Sequence, residues 1–112
     1  MRINGTELAL IRGDSHNFTL SCYDEYEKID LVDGDIVYFT IKTSTQTAKK
    51  ELQKVVTTFI DGDAIIEINP EDTKSMRYGI YYYDLQLIRS DGHVTTILGP
   101  DKFHILGEVT YE

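Results

Sequence analysis

The stretch that decides the fold is Tyr78-Gly79-Ile80-Tyr81-Tyr82-Tyr83-Asp84-Leu85-Gln86-Leu87. Its side chains alternate between an apolar face and a mixed face. The apolar face holds Tyr81, Tyr83, Leu85 and Leu87, and the other holds Ile80, Tyr82, Asp84 and Gln86. A period of two is typical of a β-strand with one face on the core, and aromatic residues favour such a surface. The stretch therefore predicts a core strand.

Similar alternating runs lie on both sides of this strand. They are Leu8 and Leu10, Phe18 to Cys22, Val37, Phe39 and Ile41, Ala64, Ile66 and Ile68, and Phe103 and Ile105, with Val109 as a possible continuation. Residues 53–60 are rich in β-branched side chains and predict a further strand, with a helix over 48–56 as the alternative. Residues 43–51 are polar and predict a loop.

Turn signals separate these runs. Asp33-Gly34-Asp35, Asp61-Gly62-Asp63 and Ser90-Asp91-Gly92 predict tight turns, the last two of them hairpins, because Asp-Gly readily supplies the positive φ of a two-residue loop. Asn69-Pro70 predicts a short helical turn, with Asn69 as its cap. Gly99-Pro100-Asp101 is predicted to break the run that starts at Val94.

The pattern predicts an all-β single domain over residues 1–112. Seven or eight mostly antiparallel strands favour an immunoglobulin-like β-sandwich, with a small β-barrel as the alternative. One local feature favours the sandwich: a short helical turn containing Asp72 is followed by Gly79-Ile80-Tyr81. In immunoglobulin-like domains a tyrosine at this corner donates its hydroxyl hydrogen to the backbone upstream.

Composition and charge exclude several classes of function. The 112 residues include 19 acidic and 11 basic side chains, a formal net charge of −8, which disfavours contact with nucleic-acid phosphates. Apolar runs are too short for membrane insertion, and no secretory signal is predicted. The single cysteine, Cys22, excludes an internal disulfide and predicts a small buried hydrophobe.

An ordered set of turn and core positions carries a family resemblance. The landmarks are Gly13-Asp14-Ser15 with Phe18 and Leu20; Ile29-Asp30-Leu31 with Val37, Phe39, Ile41 and Lys42; Gly62 with Ala64, Ile66 and Ile68; Glu71-Asp72-Thr73 with Tyr78-Gly79-Ile80-Tyr81; Asp84 to Leu87; Asp91-Gly92; Thr95-Thr96; and Phe103-His104-Ile105. Over residues 7–106 the chain resembles the N-terminal domain of baseplate upper proteins from phages and prophages of Gram-positive hosts.

The resemblance implies a non-enzymatic structural module of a phage tail or baseplate. It implies no catalytic residues, cofactor or metal. Its expected partners are other tail and baseplate proteins, including further copies of this chain, and its expected location is the virion, with assembly in the host cytoplasm. Closed rings or stacked copies reuse one interface.

Several side chains suggest more specific roles. Tyr38, Ile80 and Tyr82 lie on strand faces opposite the inferred core, which predicts a protein–protein interface. The alternative is a carbohydrate-binding module that stacks host glycans on its tyrosines. The acidic turns lack the spacing of a calcium loop, and Arg12-Gly13-Asp14 is interpreted as a strand end and turn. The three histidines, His16, His93 and His104, lie in separate segments, so catalysis is not predicted.

Overall fold

The computed structural model describes residues 2–4, 7–24 and 27–107. The strands in these ranges are β1 (Arg2–Asn4), β2 (Glu7–Ile11), β3 (His16–Leu20), β4 (Cys22–Asp24), β5 (Glu27–Ile29), β6 (Ile36–Lys42), β7 (Leu52–Val56), β8 (Ala64–Ile68), β9 (Gly79–Ile88) and β10 (Val94–Leu106), with one helix, α1 (Pro70–Lys74). The all-β prediction is confirmed. The described strands exceed the predicted seven or eight because short pairs such as β4 and β5 have too few residues to show a period.

Two sheets face each other across the core. The larger has the order β1-β2-β10-β9-β6-β7, and all its neighbours are antiparallel except β2 and β10. The smaller is the antiparallel pair β3 and β8, while β4 and β5 form a separate hairpin. Phe18 of β3 packs edge-to-face on Phe39 of β6, with ring centroids 5.6 Å apart. This contact joins the two sheets into a sandwich.

Alternation along the strands decides which side chains enter the core. The buried faces are Val37, Phe39 and Ile41 on β6, Tyr81, Tyr83, Leu85 and Leu87 on β9, and Ala64, Ile66 and Ile68 on β8. Burying each large apolar side chain contributes about 1.5–3 kcal/mol. Cys22 is buried among these residues, as predicted, and burial raises the pKa of its thiol.

The predicted tyrosine corner is present. The backbone N–H of Asn69 donates to the carboxylate of Asp72 at 2.7 Å at the start of α1. After the helix, the hydroxyl of Tyr81 donates to the carbonyl oxygen of Arg77 at 2.8 Å. This hydrogen bond fixes the path by which the chain leaves α1 and enters β9.

The segment around residues 53–63 differs from its prediction. The strand ends at Val56 rather than at residue 60, and the helical alternative is wrong. Asp61 and Gly62 have φ of 53° and 79°, and Ile60 and Asp63 exchange two backbone hydrogen bonds, so the two-residue turn is confirmed. It does not join a hairpin, because β7 pairs with β6 and β8 pairs with β3.

The last strand also differs from its prediction. The break expected at Gly99-Pro100-Asp101 lies inside β10, which continues to pair with β9 after two shifts of register between Thr96 and Asp101. The predicted turn at Asp91-Gly92 is a hairpin between β9 and β10. Val109 lies outside the described residues. No helix in the described ranges is long and apolar enough to cross a membrane.

Candidate functional site

The three residues predicted to form an interface all lie on the outer face of the larger sheet, the face turned away from β3 and β8. Ile80 is 54% exposed and lies opposite His104 of β10. Tyr82 is half-buried and lies opposite Lys42 of β6. Tyr38 is half-buried and lies opposite Gln86.

The strand register places these residues in two groups. Ile80 and Tyr82 are neighbours on one face of β9, whereas Tyr38 lies four positions before Lys42, the residue that faces Tyr82. At about 3.4 Å per residue and 4.8 Å between strands, Tyr38 and Tyr82 are about 14 Å apart. The structure therefore brings Ile80 and Tyr82 together but leaves Tyr38 at the other end of the sheet.

Ile80 belongs to an exposed apolar cluster that we call the end patch. Its members are Ile11 (42% exposed), Tyr78 (51%), Ile80 (54%) and Leu106 (37%). Leu106 lies beside Ile11 in the parallel pair of β10 and β2, and Ile80 lies diagonally across from Leu106. A Cβ added at Gly107 would lie 3.6 Å from the Tyr78 ring, so that ring lies over the chain just after Leu106.

Arg12 borders the end patch and packs on it. Its guanidinium lies 4.3 Å from the centroid of the Tyr78 ring, a cation–π contact. The N–H of Gly13 donates to the Thr73 hydroxyl at 2.8 Å, and the N–H of Asp14 donates to the carbonyl of Ile11 at 3.1 Å. The Arg12-Gly13-Asp14 tripeptide is therefore a strand end held by a closed turn, as interpreted from the sequence.

Sequence reasoning missed Ile11 and Leu106 as members of this patch. Each carries an ordinary alternation signal on its own strand. Their proximity depends on the parallel pairing of β2 with β10, which joins residues more than 90 positions apart. The position of Tyr78 near Leu106 follows instead from the antiparallel pairing of β9 with β10, in which Gly79 pairs with Ile105.

A polar groove of about 400 Å³ crosses the outer face beside Tyr38. It is lined by Tyr38, Thr40, Lys42, Lys50, Gln53, Asp84, Gln86 and Ile88. The amide of Gln53 donates to the Thr40 hydroxyl at 3.0 Å. Burial raises the pKa of Asp84, although nearby Lys42 acts in the opposite direction. A smaller cavity of about 120 Å³ continues the groove past Ser44 to Tyr82.

The acidic turns serve the fold. Asp35 is buried and accepts hydrogen bonds from the backbone N–H groups of Val32 (3.0 Å) and Ser90 (3.1 Å), while Arg89 Nε lies 3.2 Å away. Asp63 forms an ion pair with Lys28 at 3.1 Å. Hydrogen bonds from Lys28 and Ser21 lower the pKa of Asp63.

The histidines stay apart in the structure. His16 is on β3, His93 is in the turn between β9 and β10, and His104 is on β10. Within residues 2–4, 7–24 and 27–107, no three His, Cys, Asp or Glu side chains gather as a metal site requires.

Comparison with protein-family models, curated proteins and solved structures finds no match to this chain. The outer face therefore has to be interpreted from its own chemistry. It combines an apolar, aromatic end patch with a polar groove. Both features suit non-covalent binding, the first of a protein surface and the second of a hydrogen-bonding ligand.

Proposed function

We propose that this chain is a non-enzymatic assembly module that acts through protein–protein contacts. The observation that carries the proposal is the end patch. Contiguous exposed apolar surface is costly in water and marks interaction sites in soluble proteins. Interfaces are also enriched in aromatic side chains and arginine, and here Tyr78 and Arg12 stack on each other within the patch.

The biological setting we propose is the tail or baseplate of a phage or prophage. Support comes from the family resemblance over residues 7–106, whose landmarks include the tyrosine corner at Tyr81 and the turn at Asp91-Gly92. In this setting the partners are other tail and baseplate proteins and further copies of the chain. The module belongs to the virion and meets its partners in the host cytoplasm during assembly.

The assembly proposal is tested by placing a charge in the end patch. The Ile80→Glu variant should lose self-association or partner binding, because a carboxylate there has to be desolvated against apolar neighbours. Val32→Glu is the matched control, since Val32 is 51% exposed and lies in the loop before β6, away from the patch. Sedimentation velocity over a wide concentration range measures the association, and circular dichroism verifies that both variants fold.

Equal association of wild type, Ile80→Glu and Val32→Glu would contradict the assignment of the end patch. A wild-type chain that stays monomeric and binds no tail or baseplate protein from its own gene neighbourhood would contradict the assembly function itself.

Glycan binding is the second candidate, and the polar groove is the observation that favours it. Tyr38 lines the groove and Tyr82 lines the adjoining smaller cavity, and Thr40, Asp84 and Gln86 supply hydrogen-bonding groups to the groove. Stacking on aromatic rings combined with polar contacts is a general way of holding a hydroxyl-rich ligand. A glycan array tests this candidate, and Tyr38→Ala should abolish any signal that arises in the groove, while Ile80→Glu should preserve it.

A further inference from the structure

Among the described residues, each of the two sheets has one strand with an unpaired edge on the same side of the sandwich. β7 is the last strand of the larger sheet, and β8 has β3 on one side and no other strand partner among the described residues. A groove of about 390 Å³ runs between these two edges. Val55, Val56 and Ile60 line one wall, and Ile65 and Glu67 line the other.

Contacts within the chain lie near both ends of this groove. At one end Lys54 of β7 reaches Asp72 of α1, with Nζ and carboxylate oxygen 2.7 Å apart. At the other end lies the two-residue turn at Asp61 and Gly62. β8 has five residues between these ends, so the groove has the length of a short strand.

The sequence next to the groove has a strong strand tendency without a matching strand pair. Residues 55–60 read Val-Val-Thr-Thr-Phe-Ile, yet β7 stops at Val56. The reason is geometric, because Val56 pairs with Val37 and β6 begins one residue earlier, at Ile36. Ile60, at the end of this segment, lines the groove and is 62% exposed.

We infer that the free edge of β8 accepts an extended strand from a different protein, with a basic residue opposite Glu67. The inference rests on the proposed assembly function and names the chemistry of its partner. An added strand gains backbone hydrogen bonds along the β8 edge and turns the two-stranded sheet into a three-stranded one. Its alternate side chains enter the groove beside Val56 and Ile65, so apolar or β-branched residues fit those positions.

Charge decides between a foreign strand and a second copy. Glu67 is exposed and faces Asn17, a neutral residue, on its paired side. A lysine or arginine across the free edge would form a cross-strand ion pair with it. The formal net charge of −8 attracts a basic strand to this edge, whereas a second copy would have to offset charge repulsion by apolar contact of the kind that the end patch offers.

Two synthetic peptides test the inference. Both are capped nonapeptides of alternating threonine and valine, one with lysine at the centre and the other with glutamate. Fluorescence anisotropy measures their affinity, and hydrogen exchange locates the protected amides. We expect the lysine peptide to bind about three- to fivefold more tightly, the scale of one cross-strand charge pair, and to protect amides of β8.

The Glu67→Lys variant should invert this preference, so that the glutamate peptide binds more tightly. Asp33→Lys is the control, because it makes the same change of net charge at an exposed position in the turn before β6. The control should keep the preference for the lysine peptide.

Three results would overturn the inference: no protection of β8 by either peptide, the same preference in wild type and Glu67→Lys, or a dimer of the wild-type chain that itself protects β8. The end-patch variant Ile80→Glu distinguishes failure of the strand site from failure of the proposed assembly function. If Ile80→Glu still disrupts assembly while no peptide protects β8, only the strand site fails.

Discussion

At the scale of single residues, Asp35 connects two loops through its buried carboxylate. Its two carboxylate oxygens accept backbone N–H groups from the loop before β6 and from the turn after β9, and Arg89 lies beside them. The carboxylate itself is fully buried, whereas the Arg89 side chain is about one third exposed. A buried carboxylate needs such partners, and each partner loses its acceptor if the carboxylate is removed.

The Asp35→Ala variant should therefore lower the free energy of unfolding by about 3 kcal/mol, since it leaves two backbone donors and a cation without an acceptor. Urea denaturation at neutral pH measures the change. Asp33→Ala, an exposed carboxylate two residues earlier, should change the stability by less than about 0.5 kcal/mol. Similar losses in the two variants would show that Asp35 does not hold these loops.

Ionisation of the buried Tyr83 phenol should lower the stability of the protein in alkaline solution. Burial raises the pKa of its phenol from 10.0 to about 12, with a further contribution from Asp101. Below pH 10 the phenol is neutral in both the folded and unfolded chain, so stability does not depend on it. Between pH 10 and 12 only the unfolded chain loses the proton, and stability should fall by up to about 3 kcal/mol.

The Tyr83→Phe variant tests whether the alkaline loss of stability comes from Tyr83. Its free energy of unfolding should decline less steeply than that of wild type between pH 10 and 12, as measured by urea denaturation at several pH values. Because phenylalanine keeps the ring between Phe39 and Phe103, the core packing is preserved. Parallel declines in both proteins would assign the alkaline loss to other groups.

At the scale of elements, β10 stays continuous because glycine occupies its irregular point. Gly99 has φ of +92°, and a Cβ there would lie 2.6 Å from the carbonyl oxygen of Tyr83. Gly92, in the preceding turn, has φ of +91° but no atom within 4 Å of an added Cβ. The two glycines thus share one backbone conformation and differ in their surroundings.

This pair separates backbone strain from steric contact. Gly92→Ala should cost about 1–2 kcal/mol, the penalty of a left-handed conformation for a residue with a side chain. Gly99→Ala should cost at least about 1 kcal/mol more, because the added methyl group also collides with the β9 backbone. Urea midpoints at constant slope measure both values, and equal losses would show that β9 moves away without cost.

The comparison of sequence and structure also belongs to this scale. Alternation predicted the buried faces of β6, β8 and β9, because a period of two follows directly from strand geometry. The turn at Asp61-Gly62 was predictable from local backbone preferences. Which sheets it connects was not predictable, since β7 pairs with the preceding strand β6 whereas β8 pairs with β3, more than 40 residues earlier. The same limit hid the end patch, which exists only because β2 pairs with β10.

At the scale of the whole molecule, neither sheet has a core of its own. In the part of the chain that the structure describes, the smaller sheet has two strands, too few to be stable alone in water. Its apolar face is covered by the larger sheet, through contacts such as Phe18 on Phe39. The inner face of β9 is in turn part of the same continuous core. The two sheets should therefore unfold together.

Hydrogen exchange tests this cooperativity with one truncation in each sheet. Phe18→Ala should destabilise the molecule by about 2–3 kcal/mol, less than a fully buried phenylalanine because Phe18 is half-buried, and Leu85→Ala by about 2–5 kcal/mol. In each variant the most protected amides of β8 and of β9 should lose the same opening free energy, since both exchange through global unfolding. If Phe18→Ala weakened protection in β8 but left β9 unchanged, the smaller sheet would open separately. A strand that binds the β8 edge would then bind only the fraction of molecules in which the smaller sheet is folded.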